Sequence, residues 1–323
     1  PSTARGASAS SKSLITNDRH TPKLIDIHHH ITPPAYAAAM REHGFGSNII
    51  FKPLLEWTLN ESLEELEPGR GTTAITSLSG PGVWFGDAPA ARRIARSCNE
   101  YAARLAVDYP GRFGCFATLP LPDVEGSLSE IAYALDILKV EGIGLKTSYD
   151  DKWLGHPAFD PIMEELNHRK AIVYTHPTLA DCCKTILPAL PPSLIEYGAD
   201  TTRAIANLLV TKTVIRFPNI RFIFSHGGGT MPYLAQRFIN SLDAQLPNGV
   251  IPELRRFYYD TAQAFHPATI AALTKLIPIS QILFGTDFPY RTARTTWEAL
   301  LNDGLKAEDL HLIANGNARR LLG

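Results

Sequence analysis

From Leu24 onward, short apolar runs alternate with longer amphipathic ones. The short runs are LIDIH (24–28), TAITSLS (73–79), GCFATLP (114–120), GIGLKTS (142–148), AIVYTHP (171–177), RFIFSHG (221–227), FYYDT (257–261) and QILFGTD (281–287). Each is rich in Ile, Val, Phe, Tyr or Thr and is bounded by Gly, Pro or Asp, the pattern of a strand. Between them, segments 91–109, 126–140, 158–170 and 202–217 repeat apolar residues at helical spacing. Eight strands alternating with helices predict an α/β fold, a (β/α)8 TIM barrel. Two segments are too long for simple connections: 36–72 after strand one, and the Pro-rich 178–200 after strand five. Both follow strands, so both loop insertions are expected at the C-terminal face, where such barrels keep their active sites. The barrel is expected to occupy residues 23–323 as one domain. Residues 1–22, rich in Ser, Thr, Ala and Lys without an apolar period, read as a tail outside the core that lacks the apolar stretch of a secretory signal.

Charge narrows the partners. Lys+Arg 31 against Asp+Glu 32 leaves a formal charge of −1. A neutral chain lacks the electrostatic footprint of a nucleic-acid binder. No run of about 18 apolar residues suggests a membrane span. The cysteines Cys98, Cys115, Cys182 and Cys183 form no C-x-x-C pair, which points to a reducing, cytoplasmic setting.

Histidine changes the picture most. Of 11, three are consecutive at His28, His29 and His30, where strand one ends. Alternate residues of a strand share a face, so His28 and His30 are expected to point into the barrel mouth and His29 away. His176 closes strand five, His226 strand six and Asp287 strand eight. Imidazoles and a carboxylate on one rim suit Zn²⁺, and also Mn²⁺ or Fe²⁺, with a position left open for water or substrate. Asp260, at the end of strand seven, gives no reason to be preferred over Asp287 as a ligand.

The segments IDIHHHITPPAY (25–36), GIGLKTSY (142–149), YTHP (174–177), FSHGGGTMPYLAQR (224–237), FGTDFPY (284–290) and IANGNARRLL (313–322) resemble the amidohydrolase superfamily. They are most similar to its non-oxidative decarboxylases: the aminocarboxymuconate-semialdehyde, γ-resorcylate, methylsalicylate and isoorotate decarboxylases. The resemblance implies a mononuclear metal site with His28, His30, His176 and Asp287 as ligands, and His226 beside it assisting proton transfer. It also implies a small-molecule carboxylic acid substrate, no organic cofactor, and a homodimer. The leading expectation is a decarboxylase of an ortho-hydroxybenzoate, in which protonating the ring carbon turns the ring into an electron sink. Asp287 or His226 is the candidate acid. The alternatives are a metal-dependent hydrolase of a lactone, amide or ester, and a non-catalytic metal-containing barrel.

Further residues carry open readings. Lys146, near the end of strand four, is where binuclear relatives hold a carboxylated lysine; it is otherwise a structural or substrate-neighbouring cation. Arg237 either meets a substrate carboxylate or is a surface arginine. Phe51, Trp57, Trp84 and Phe85 are candidate walls for a planar ring or plain packing, and Tyr290 a candidate pocket residue. Cys182 and Cys183 receive no catalytic role.

Overall fold

Eight parallel strands form where the apolar runs lie: β1 (Ile25–His30), β2 (Thr73–Ser77), β3 (Phe113–Thr118), β4 (Gly142–Lys146), β5 (Ile172–His176), β6 (Arg221–Phe224), β7 (Tyr258–Asp260) and β8 (Ile282–Leu283). The computed structural model describes residues 22–67, 71–187 and 189–323, so all of the expected tail but Pro22 lies outside the described residues. The strands neighbour one another in chain order. Backbone hydrogen bonds from Ile27 to Phe284 (3.0 Å) and from Asp287 to His28 (2.9 Å) join the last strand region to the first and close the barrel.

Inward-facing Ile27, Ile75, Phe116, Ile172, Tyr174, Ile223 and Leu283 fill the barrel interior, with Ala318 and Leu321 of the last helix packed against them. A larger apolar layer lies between strands and helices. Each large apolar side chain buried in this way contributes about 1.5–3 kcal/mol, so both layers hold the strand ends in fixed register. Among the described residues, no helix is long and apolar enough to cross a membrane.

The helices differ from their expected bounds at polar caps. The helix expected at 91–109 begins at Ala88, because the Asp87 carboxylate accepts the Ala90 amide (2.6 Å). The helix expected at 126–140 begins at Val124, capped by Asp123 on the Gly126 amide (3.1 Å). The expected helix 202–217 is two helices, Glu196–Val210 and Thr213–Arg216, broken where Lys212 takes a left-handed φ of 56°.

Both insertions are tied down by side chains. The first carries short helices, including Leu59–Glu65, which opens with a reciprocal Thr58–Glu61 cap. The second is anchored by the buried Asp200. Its carboxylate accepts from the Thr147 and Ser148 hydroxyls and from Trp153 Nε1 (2.6 Å), fixing the insertion's end to the hairpin that follows β4.

Candidate active site

Simple alternation along β1 would not place the histidines where they stand. Ile27 belongs to the barrel interior, so strict alternation would turn His29 inward. The pairing with β2 shifts between Asp26 and His29. The His28 amide bonds the Asp26 carboxylate (3.0 Å). This irregularity re-aims the strand, and His28 and His30 follow Ile27 inward. His29 points outward, stacked on Phe288 at 4.4 Å and bonded to Asp26 (3.3 Å) and Ser62 (2.9 Å).

The other rim groups also leave regular strand geometry. β6 ends at Phe224, and His226 adopts a left-handed φ of 55° in the turn that follows. β8 covers only Ile282–Leu283 and not the expected 281–287. The Asp26 carboxylate takes the amide and hydroxyl of Thr286 (3.0 and 2.7 Å), replacing ladder partners, and Asp287 then turns into the mouth at φ 70°.

These turns bring the donors together. His28 Nε2 lies 3.0 Å from His30 Nε2, which lies 3.2 Å from His176 Nε2. Asp287 Oδ1 is 3.2 Å from both His28 and His30. Asp287 Oδ2 faces His226 Nε2 at 3.5 Å and accepts from Gln263 (3.1 Å). One donor atom each from His28, His176, His226 and Asp287 fall within 4.8 Å of one another.

The far side of each ring explains the arrangement. His28 Nδ1 is bonded to Asp260 (2.8 Å), His176 Nδ1 to the Pro177 carbonyl (2.8 Å), and His30 Nδ1 to the Ser77 hydroxyl (3.2 Å). A carbonyl requires a proton on His176 Nδ1 and leaves Nε2 with its lone pair. The same tautomer at His28 and His30 makes three lone pairs and a carboxylate oxygen converge, which is repulsive unless positive charge lies between them. Protonation behaviour carries the same demand. Burial alone would discharge His28, but Asp260 and Asp287 outweigh it and lift its pKa to about 10. Burial would neutralise Asp287, yet the His28 charge and bonds from His226, His28 and His30 hold it well below the usual carboxylate range. Burial pulls His30 down to about 4 and His176 well below its ordinary value, the latter aided by Lys146 and the other imidazoles. Two imidazoles are therefore held neutral beside ionised Asp287. This donor set fits a divalent cation.

The family model for amidohydrolases matches residues 25–323. The chain belongs to the amidohydrolase family. Its relatives place it in the decarboxylase branch. This amidohydrolase is 39% identical to Decarboxylase yanB of Aspergillus niger, over 84% of this chain and 78% of that protein. It is 36% identical to a 6-methylsalicylic acid decarboxylase of Penicillium expansum, over 82% and 84% of the two chains. The crystal structure of an amidohydrolase II protein superposes with a TM-score of 0.86 at 28% identity, covering 93% of this chain and 99% of that one.

A cavity of about 850 Å³ opens between the two insertions, and none of the donor residues is among those that line it. Phe51, Trp84 and Phe85 line it, as do Thr178 and Tyr197 at its inner side. Tyr197 lies 6.4 Å from the His176 ring, and burial together with Asp287's charge pushes its hydroxyl up to about 12. Tyr290 is not among the residues that line the cavity, but its hydroxyl donates (2.9 Å) to the carbonyl of Ile50, which is. Trp57 is part of the packing, bonded to Ser62 (2.9 Å). Arg237 is exposed on helix Met231–Leu242 and is not among the residues that line the cavity. It sits on the solvent face because its helix turns the opposite stripe inward. Lys146 is buried, with its amine donating to the Leu78 carbonyl (2.7 Å), and burial lowers its pKa to about 7.

The roles of three groups were not read from the sequence. Asp260 orients His28 and also accepts the His226 amide (2.8 Å). Its place at the end of a strand was the available signal. Tyr197 sits in an insertion without periodicity, and Gln263 in a turn with a φ of 54°; neither carries a sequence signal.

Proposed function

We propose that this amidohydrolase is a metal-dependent, non-oxidative decarboxylase of a small aromatic carboxylic acid, with an ortho-hydroxybenzoate as the leading substrate class. The observation that carries the reading is the convergence of three imidazole Nε2 atoms with Asp287 at the barrel mouth, near a cavity walled by aromatic rings. The relatives' decarboxylase names support it. His28, His30, His176 and Asp287 would hold one cation, Zn²⁺ or Mn²⁺. His30 is preferred to His226 because its Nε2 stands within 3.0–3.2 Å of three other donors, whereas His226 approaches the opposite oxygen of Asp287. When bound, the cation would supply the charge that gathers a carboxylate and an ortho oxygen.

The chain's own groups then move the proton. Asp287 is ionised and must take up a proton before it can give one. His226 Nε2 faces its Oδ2, so this pair is the proton carrier for the substrate ring. The proton goes to the ring carbon bearing the carboxylate. The carbon–carboxylate bond breaks, its electron pair restores the aromatic ring, and CO₂ leaves. The Trp84 and Phe51 rings offer the flat walls that orient the substrate. Lys146, committed to Leu78, acts in this reading as a buried cation beside the site and bridges no second metal.

The proposal extends to a cytoplasmic homodimer. All four cysteines are free thiols, which supports a reducing compartment, and the resemblance supports the dimer. The functional test is metal analysis and CO₂ release on one preparation, using a panel of hydroxybenzoates. About one ion per chain with CO₂ release is the expected result. Two ions with a modified Lys146, or turnover of lactones without CO₂ from any acid, overturns it.

A further inference from the structure

The proposed reaction leaves one polar atom of the substrate without a partner. In a ring acid held through its ortho oxygen and one carboxylate oxygen, the second carboxylate oxygen still needs a donor. A charged acceptor left unpaired in a buried site is strongly disfavoured. Arg237, the sequence candidate for this contact, is exposed on helix Met231–Leu242. The Lys146 amine is committed to the Leu78 carbonyl (2.7 Å), and the Gln263 amide to Asp287 (3.1 Å).

Tyr197 stands where such a donor is needed. Among the described residues that line the cavity, it is the one whose ring meets that of a donor residue, facing the His176 imidazole edge-on at 6.4 Å and 68°. Its hydroxyl has no hydrogen-bond partner among the described residues. Tyr36 and Tyr290 differ in this respect, since their hydroxyls donate to the Ser79 and Ile50 carbonyls (3.1 and 2.9 Å). The backbone that carries Tyr197 is fixed on several sides. Its amide donates to the Pro192 carbonyl (3.0 Å) at the start of helix Glu196–Val210. Asp200 ties that helix to the hairpin after β4, and the Thr202 hydroxyl accepts the Thr230 amide (2.9 Å) just beyond the His226 turn. The hydroxyl itself takes no part in this anchoring.

A neutral donor also suits the chemistry. A phenol ionises near pH 10, so at neutral pH this hydroxyl donates. As the carbon–carboxylate bond breaks, the carboxylate loses its charge and becomes CO₂. A guanidinium bonded to it would hold the charged acid more tightly than the transition state, whereas a phenol orients the group with less of that penalty.

We infer that the Tyr197 hydroxyl donates a hydrogen bond to the substrate carboxylate, at the oxygen that chelation leaves free, in the role expected of Arg237. This rests on the decarboxylase reading for the identity of the ligand, and on the placement of Tyr197 for the contact.

Tyr197→Phe removes the hydroxyl and keeps the ring. Calorimetry on the metal-loaded native and variant proteins compares 2-hydroxybenzoate with catechol, which offers two adjacent oxygens and no second carboxylate oxygen. The variant should bind 2-hydroxybenzoate about 10- to 100-fold more weakly and catechol equally well. Retained catechol binding also shows that the variant is folded and holds its ion. In turnover, KM should rise while kcat does not fall, because the contact is made to the charged ground state. Equal loss for both ligands, no loss for the acid, or a fall in kcat at unchanged KM overturns the contact. A native protein that binds no hydroxybenzoate overturns both the contact and the decarboxylase reading. Selective loss of the acid without CO₂ from either protein supports the contact and sinks the decarboxylase reading alone.

Discussion

His28 shows how a single side chain is set for its task. Asp260 fixes one ring nitrogen and Asp287 faces the other, so the imidazole has neither rotational nor tautomeric freedom. Partners of this kind typically govern metal affinity by about 10–100-fold. Asp260→Asn should therefore weaken metal binding by about that factor in a competition titration with a chelating indicator; unchanged affinity would show that Asp260 does not orient the ligand. His226 stands on the other side of Asp287 and is assigned the proton. His226→Asn should keep about one ion per chain while kcat falls by about 10²–10⁴-fold. Loss of the ion in that variant would make His226 a ligand and displace His30. The rim histidines were legible because each terminates an apolar run. The role of Asp260 was not, since a lone strand-end aspartate does not reveal which ring it will meet.

At the level of elements, the strands were readable from their apolar content, but the irregularities that aim the site were not. The bulge in β1 depends on Asp26, which bonds backbone amides of both β1 and the segment after β8. A contact across 260 positions leaves no local pattern. The turn after β6 shows the same limit in glycine. Gly229 has a φ of 66°, and a Cβ there would press into the Gly198 carbonyl and meet Thr202 Oγ1 at 3.0 Å. The close approach packs the turn carrying His226 against helix Glu196–Val210. Gly229→Ala should destabilise the protein by about 1–3 kcal/mol, read from the urea midpoint. A midpoint equal to that of the native protein would show that the turn yields freely.

For the whole molecule, the balanced charge means that attraction for an anion arises locally, at the donor cluster, and not from the surface field. The fold holds ionised Asp287 beside neutral imidazoles at the barrel mouth, so a cation that binds only this arrangement stabilises the folded state. Free metal at about a thousand times its Kd contributes about 4 kcal/mol. The metal-loaded protein should melt several degrees above the chelated one; equal melting temperatures would mean that the folded chain binds no ion. The central claim is that the chain transfers a proton to a ring carbon that then loses CO₂. Turnover of a hydroxybenzoate by the metal-loaded protein in D₂O tests this most directly, with the product examined by NMR. The account predicts one deuterium at the vacated ring carbon, CO₂ equal to product, and neither in Asp287→Asn. CO₂ release with full activity in Asp287→Asn, or product without deuterium at that carbon, would contradict it.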